Sequence, residues 1–144
     1  MPAASPYRSV QHVYFDDLDA LNILHNVRFL LFIERARGEL FNALGFRWED
    51  DTIVNPDRWH VVAAHDIRYL VPVRGEGDLA VELSPTKLGT SSFVLSARVC
   101  SLDGKITYAE GTHRLVRLDP VTQRPCSWSD RFRAALRGML PSPS

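Results

Sequence analysis

The residues of this chain with the most chemical capacity are gathered in one stretch, Phe15 to Arg37. Asp16, Asp17 and Asp19 come first, His25 and Asn26 follow, and an apolar run opens at Val27. A loop carboxylate can act as a nucleophile or as a general base toward water. A helix start leaves backbone N–H groups unpaired and carries partial positive charge, so it stabilises an oxyanion forming nearby. Asp19 lies seven positions before Asn26, and a strand before the loop with a helix after it would fix both ends. His25 can orient substrate or water, or simply cap the helix. Each has a plainer reading too, since Asp in a turn ahead of a helix is commonly a hydrogen-bonding residue. Asp17 fits that plainer reading better than a second catalytic role.

Other chemistries find less support. Neither HExxH nor a Cys/His cluster is present, so no metal is expected. Ser91 and Ser92 lack a GxSxG elbow, which argues against a serine hydrolase. Cys100 and Cys126 are remote from the acidic loop and read as ordinary structural cysteines. His65 falls on an apolar strand face, where a satisfied core histidine is the common case, and His12, His60 and His113 have no ligand spacing. Glu34 and Arg37 can pair at i,i+3. Beside so apolar a helix start, Glu34 is alternatively enclosed and available to substrate.

The elements that must hold these residues follow from periodicity. Ser9–Phe15 predicts a strand. From Val27, Phe29, Ile33, Ala36, Leu40 and Leu44 recur at helical spacing and Gly45 supplies a stop, which predicts one long helix. Its first two turns are apolar nearly all round, so it should be enclosed. Gly38 in its interior suggests close approach to another backbone. Four more strands follow: one with Val61, Ala63, His65, Ile67, Tyr69 and Val71 on one face, then DLAVEL, SSFVLSARV and KITYAEGTHRLVRL, the last with Gly111 as a possible bulge. No helical crossover separates them, so they should pair antiparallel. SDRFRAALRGML predicts a short closing helix capped by Ser129 or Ser127. The fold class is α+β, a long helix against a five-stranded antiparallel sheet.

At 144 residues and 45% hydrophobic content the chain can build one core, and residues 1–144 read as one domain with tails at 1–8 and 141–144. Lys plus Arg and Asp plus Glu each number 17. That balance points away from nucleic acid and membrane surfaces and toward a small-molecule or protein partner. Two scattered cysteines, no signal-like apolar segment and no membrane-length run suggest a cytoplasmic protein.

The stretch FDDLDALNILHNVRFLLFIERAR resembles the signature of the 4-hydroxybenzoyl-CoA thioesterase family of hotdog proteins, D-x-D-x-x-G-x-V-x-x-x-x-Y-x-x-Y-x-E-x-A-R. Asp17 and Asp19 match its aspartates, Phe29 and Phe32 its aromatic positions, and Glu34, Ala36 and Arg37 its helical end. HDIRYLVPVRGEGDLAVELSPTKLGTSSFVLSARV is similar to the family's second region, so the likeness runs from Val10 to Leu118. It departs at Leu18, where Thr is common, and at Leu21-Asn22-Ile23, where a Gly is common. Asn22 tolerates the left-handed conformation that such a Gly supplies.

The resemblance implies a hotdog fold, with the helix wrapped by the sheet, and a homodimer whose sheets join edge to edge, extendable to a homotetramer. It implies an acyl-CoA thioesterase with sites at the subunit interface. Asp19 would be nucleophile or general base, the Asn26 N–H would polarise the thioester carbonyl, and His25 would stand beside them. Asp17, Phe29, Glu34, Ser91 and Ser92 become candidate substrate contacts, and Arg74, Lys87 and Arg98 candidate contacts for coenzyme A phosphates. Coenzyme A enters as substrate, and no separate cofactor is expected. Alternatives that share the fold are a non-catalytic acyl-binding module, a dehydratase or hydratase, and a thioesterase acting on acyl carrier protein.

Overall fold

The computed structural model describes residues 5–51 and 53–140. Its elements are β1 (Tyr7–Val13), α1 (Asn26–Ala43), β2 (His60–Tyr69), β3 (Gly77–Leu88), β4 (Ser92–Cys100), β5 (Thr107–Arg117) and α2 (Asp130–Arg137), with 3-10 turns at Phe15–Asp17 and Pro56–Arg58. The strands form one antiparallel sheet in the order β1-β3-β4-β5-β2. β1 starts two residues inside the expected tail; residues 1–4 of that tail, and the closing tail at 141–144, fall outside the described residues.

The sheet curls around α1, the hotdog arrangement. Phe29, Phe32, Ile33, Ala36 and Leu40 of the helix are buried against Leu79, Val81 and Leu83 of β3, Phe93, Leu95, Ala97 and Val99 of β4, and Leu115 of β5. Period-two alternation in β3 and β4 therefore reports the core face as expected. Gln11 of β1 is buried as well, and its Nε2 donates to the Phe32 carbonyl of α1 at 2.7 Å. Gly45, just past the helix, has φ +89, the left-handed stop that Gly adopts readily. α2 is capped by Ser129, whose Oγ accepts from the Phe132 N–H and donates to Asp57 at 2.6 Å.

Three local expectations are corrected. Gly38 approaches the Trp48 indole, not a second backbone: a Cβ there would lie 3.6 Å from Nε1. Gly111 lies in an unbroken part of β5; the irregularities of that strand's pairings fall in β2 between Val62 and Ala64 and, opposite β4, in β5 between Thr107 and Ala109. A Cβ on Gly111 would sit 1.8 Å from the Asp66 carbonyl oxygen, so the glycine lets the edge strand come close. Because of the β2 irregularity, Val62 and Ile67 pack on the core while Val61 is 45% exposed.

His65 is also exposed, on the edge strand, and the enclosed histidine is His113, which is 2% exposed and stacks on His65 at 5.7 Å. Neither ring nitrogen of His113 has a hydrogen-bond partner among the described residues. Burial, reinforced by Arg37 and His65, pushes its pKa down to about 4. A depressed base binds protons more readily unfolded, so its contribution to stability is complete above the unfolded value of about 6.5 and is lost as pH falls toward 4. Chemical denaturation between pH 7 and pH 4 should therefore show a loss of up to about 3 kcal/mol from this group. His113→Leu should flatten that slope; an unchanged slope would reassign it to other groups.

Candidate active site

The acidic loop is a small hairpin. Leu18 bridges Leu24, the Asn22 N–H donates to the Asp19 carbonyl at 3.0 Å, and the Asp19 N–H donates to the Ile23 carbonyl at 2.8 Å. Asp19 braces the turn with its side chain: Oδ1 accepts from the Leu21 N–H at 2.8 Å and the Ile23 N–H at 3.1 Å. Among the described residues, Oδ2 makes no hydrogen bond, and the side chain is only partly buried. Asn22 sits at φ +62, as anticipated for the residue that stands where a Gly is common.

Asp17 turns the other way. It is 6% exposed, Oδ2 accepts from the Tyr14 N–H at 2.9 Å, Oδ1 lies 3.5 Å from Arg28 Nε, and its carbonyl accepts from the His25 N–H. The carboxylate thus ties the end of β1 to the first turn of α1. Both of its oxygens are engaged inside the protein.

The helix start is open. His25 occupies the N-cap position and its side chain makes no capping bond. Asn26 is the first helical residue, and its N–H and that of Val27 precede the reach of intrahelical acceptors. No backbone acceptor from another segment takes their place among the described residues.

Against this start lies a cavity of about 350 Å³. Ile23, Leu24 and Phe29 form one wall, and Leu70, Val71 and Pro72 the other. Asn26 and Tyr69 complete it. The wall begins at Ile23; Asp19 is one hairpin rung behind, bonded to Ile23 through backbone and side chain. Tyr69 and the Leu70–Pro72 segment are the residues that sequence reasoning passed over. Tyr69 was legible only as part of a strand face, although the Tyr-Leu-Val-Pro run does signal a strand leaving the sheet with apolar side chains.

The other anticipated residues scatter. Arg74 is exposed beside the hairpin, bridged to Ile23. Lys87, Ser91 and Ser92 lie at the β3–β4 turn. That turn is separated from the loop end of β3 by about 30 Å of strand, so one protomer does not bring them to Asp19. Arg98 sits on the sheet face away from α1, with Nη1 2.9 Å from Glu82, Nε 2.8 Å from Thr107 and Nη2 2.6 Å from the Gly104 carbonyl. Those contacts leave its guanidinium occupied. Glu34 is exposed, not enclosed. The enclosed partner of that pair is Arg37, whose buried Nε and Nη1 are unpaired and whose pKa is lowered by burial, with Glu34 opposing the shift.

A long helix wrapped by a curled sheet, with an acidic hairpin and an open helix start at one end, is the architecture of a hotdog-fold protein. The chain belongs to the thioesterase superfamily, whose family model matches residues 21–108, more than half of its length. It is 24% identical over 119 residues to the acyl-CoA thioester hydrolase YbgC of Escherichia coli, covering 83% of this chain and 87% of that one. Among solved structures it is similar to the PA2801 protein of Pseudomonas aeruginosa, at 29% identity and TM-score 0.78, covering 94% of this chain and 99% of the other. It is likewise similar to a Thermus thermophilus thioesterase complexed with coenzyme A and zinc, at 28% identity and TM-score 0.77, covering 94% and 95%. No helix among the described residues is long and apolar enough to cross a membrane.

Proposed function

We propose that the chain hydrolyses acyl-coenzyme A thioesters to the free acid and coenzyme A, with Asp19 as the reactive carboxylate and the Asn26 N–H as oxyanion donor. The observation that carries this reading is an uncapped helix start on an apolar cavity, with a carboxylate whose Oδ2 is unengaged one hairpin rung behind the cavity wall. The thioester oxygen accepts the Asn26 N–H, where the end of the helix dipole adds to the pull. Asp19 takes a proton from water as the water oxygen adds to the carbonyl carbon, or adds itself and is then released by water. In either route the C–S bond breaks, the thiolate receives a proton, and one water is consumed. His25, exposed at the N-cap, orients the water or the leaving group.

Phe29 supplies the floor of the acyl site and Asp17 keeps the loop and helix in register. Arg74, exposed beside the loop, would meet a phosphate of coenzyme A there. β2 is a sheet edge with Val61 exposed on it, which supports a homodimer joined along it. In such a dimer Lys87, Ser91, Ser92 and Glu34 would serve the site of the second copy. Turnover of a panel of acyl-CoA substrates, read by colorimetric thiol detection beside matched acyl carrier protein thioesters, tests the reading. Thiol release from the CoA series is expected. Binding without release would leave a non-catalytic acyl module, and preference for the carrier protein would reassign the partner.

A further inference from the structure

Tyr69 makes three contacts with the proposed site that sheet packing does not require. It is the last residue of β2, and its Oη donates to the Asn26 carbonyl at 3.1 Å. Its ring meets Phe29 edge to face, centroids 5.3 Å apart. It also lines the 350 Å³ cavity while remaining 48% exposed, so it stands at the mouth. Asn26 is the residue whose N–H is free. Its peptide neighbourhood is the first helical turn, which has no side-chain cap to steady it. The hydroxyl therefore substitutes a strand-to-helix tie for the missing cap.

The cavity lining has a second message. Apart from the Asn26 amide and the Tyr69 hydroxyl, it is made of aliphatic and aromatic side chains, and no Lys, Arg or His is among them. A charge placed against Leu24 and Phe29 would lose its water without gaining a partner.

We infer that Tyr69 is a positioning and specificity-determining residue: its hydroxyl holds the helix start where Asn26 can meet the thioester oxygen, and its ring gates a site for uncharged, apolar acyl groups. This rests on the hydrolase reading above. Aliphatic and aryl acyl thioesters are then substrates, and short acyl groups ending in a second carboxylate are refused. The ring acts on which acyl group enters, whereas the hydroxyl acts on every substrate alike, because the carbonyl position is common to all of them.

Steady-state kinetics of the full-length protein on three thioester types of matched length, a straight aliphatic, an aryl and an ω-carboxyacyl CoA, test it for wild type, Tyr69→Phe and Tyr69→Ala. Tyr69→Phe keeps the ring and should lower kcat by roughly 2- to 12-fold, the worth of one hydrogen bond, on the aliphatic and aryl substrates equally, with KM little changed. Tyr69→Ala should lower kcat similarly and also change the ratio of KM between aliphatic and aryl substrates. The ω-carboxyacyl substrate should be at least ~100-fold poorer in kcat/KM than its neutral counterpart, the cost of an unpaired charge in an apolar site. Wild-type kcat in Tyr69→Phe overturns the positioning role. An unchanged KM ratio in Tyr69→Ala overturns the gate, and equal use of the charged substrate overturns the substrate class. A wild type silent on every thioester overturns the hydrolase reading and this inference with it, whereas an active wild type with unaltered variants overturns this inference alone.

Discussion

Asp19→Asn is expected to lower acyl-CoA turnover by at least ~100-fold, the usual scale for loss of a general base, while the protein keeps its fold. The geometry makes this substitution unusually clean. Asp19 braces its hairpin through Oδ1, which accepts from the Leu21 and Ile23 N–H groups. An asparagine carbonyl oxygen accepts the same two bonds, so the turn survives and only the charge and basicity go. Asp19→Ala removes both, and its loss of activity would mix a slackened hairpin with absent chemistry. Circular dichroism and thermal melts should thus superimpose for wild type and Asp19→Asn while kcat separates them. Near-normal turnover in Asp19→Asn would leave the residue as a turn brace and nothing more.

The second large effect concerns a backbone atom. Asn26→Pro should lower kcat by about 10²- to 10³-fold, the scale of losing one oxyanion donor. Proline is tolerated at the first position of a helix, where its missing N–H breaks no intrahelical bond, and Asn26 holds that position. The preceding residue must be extended for proline to follow, and His25 already is, at φ −57 and ψ 134. Asn26→Ala keeps the N–H and serves as the control, with turnover within a few-fold of wild type. If the alanine variant were as impaired as the proline variant, the Asn26 side chain and not its backbone would be the group that matters. If both were fully active, the oxyanion would have to find its donor elsewhere.

These two variants isolate what the Asp19–Asn26 pair needs from the rest of the molecule. Asp17 ties the loop to Arg28 and the end of β1, Gln11 ties β1 to the middle of α1, and Tyr69 ties the far edge strand to the helix start. The Asp17 and Tyr69 ties thus meet at the start of α1, and the Gln11 tie holds the helix further along. The opposite end, where α2 packs, carries Asp57 and Ser129 in a separate buried network.

Much of this was legible from residues alone. The spacing of Phe29, Ile33, Ala36 and Leu40 determined the enclosed helix, and alternation in β3 and β4 determined the sheet, because each repeat reports which side chains must leave water. The acidic loop and helix start could be read as a site because capping and carboxylate chemistry are local properties of a short segment. The left-handed Asn22 was also foreseeable, since backbone sterics depend on the residue itself.

What the sequence could not decide depends on which distant segments meet. Asp17 and Asp19 are two positions apart and equally acidic, yet one is turned inward toward Arg28 and the other carries a free oxygen. Glu34 and Arg37 share a helix, but only the arginine's side chain is enclosed. A single irregularity in β2 moved Val61 outward and let Val62 take its place, a shift that period-two counting cannot anticipate. Tyr69 acquires its place at the site only because β2 lies across the sheet from β1 and ends beside the start of α1. Residue type fixes which groups can do chemistry; the packing of strand ends on the helix start selects which of them are left facing the cavity.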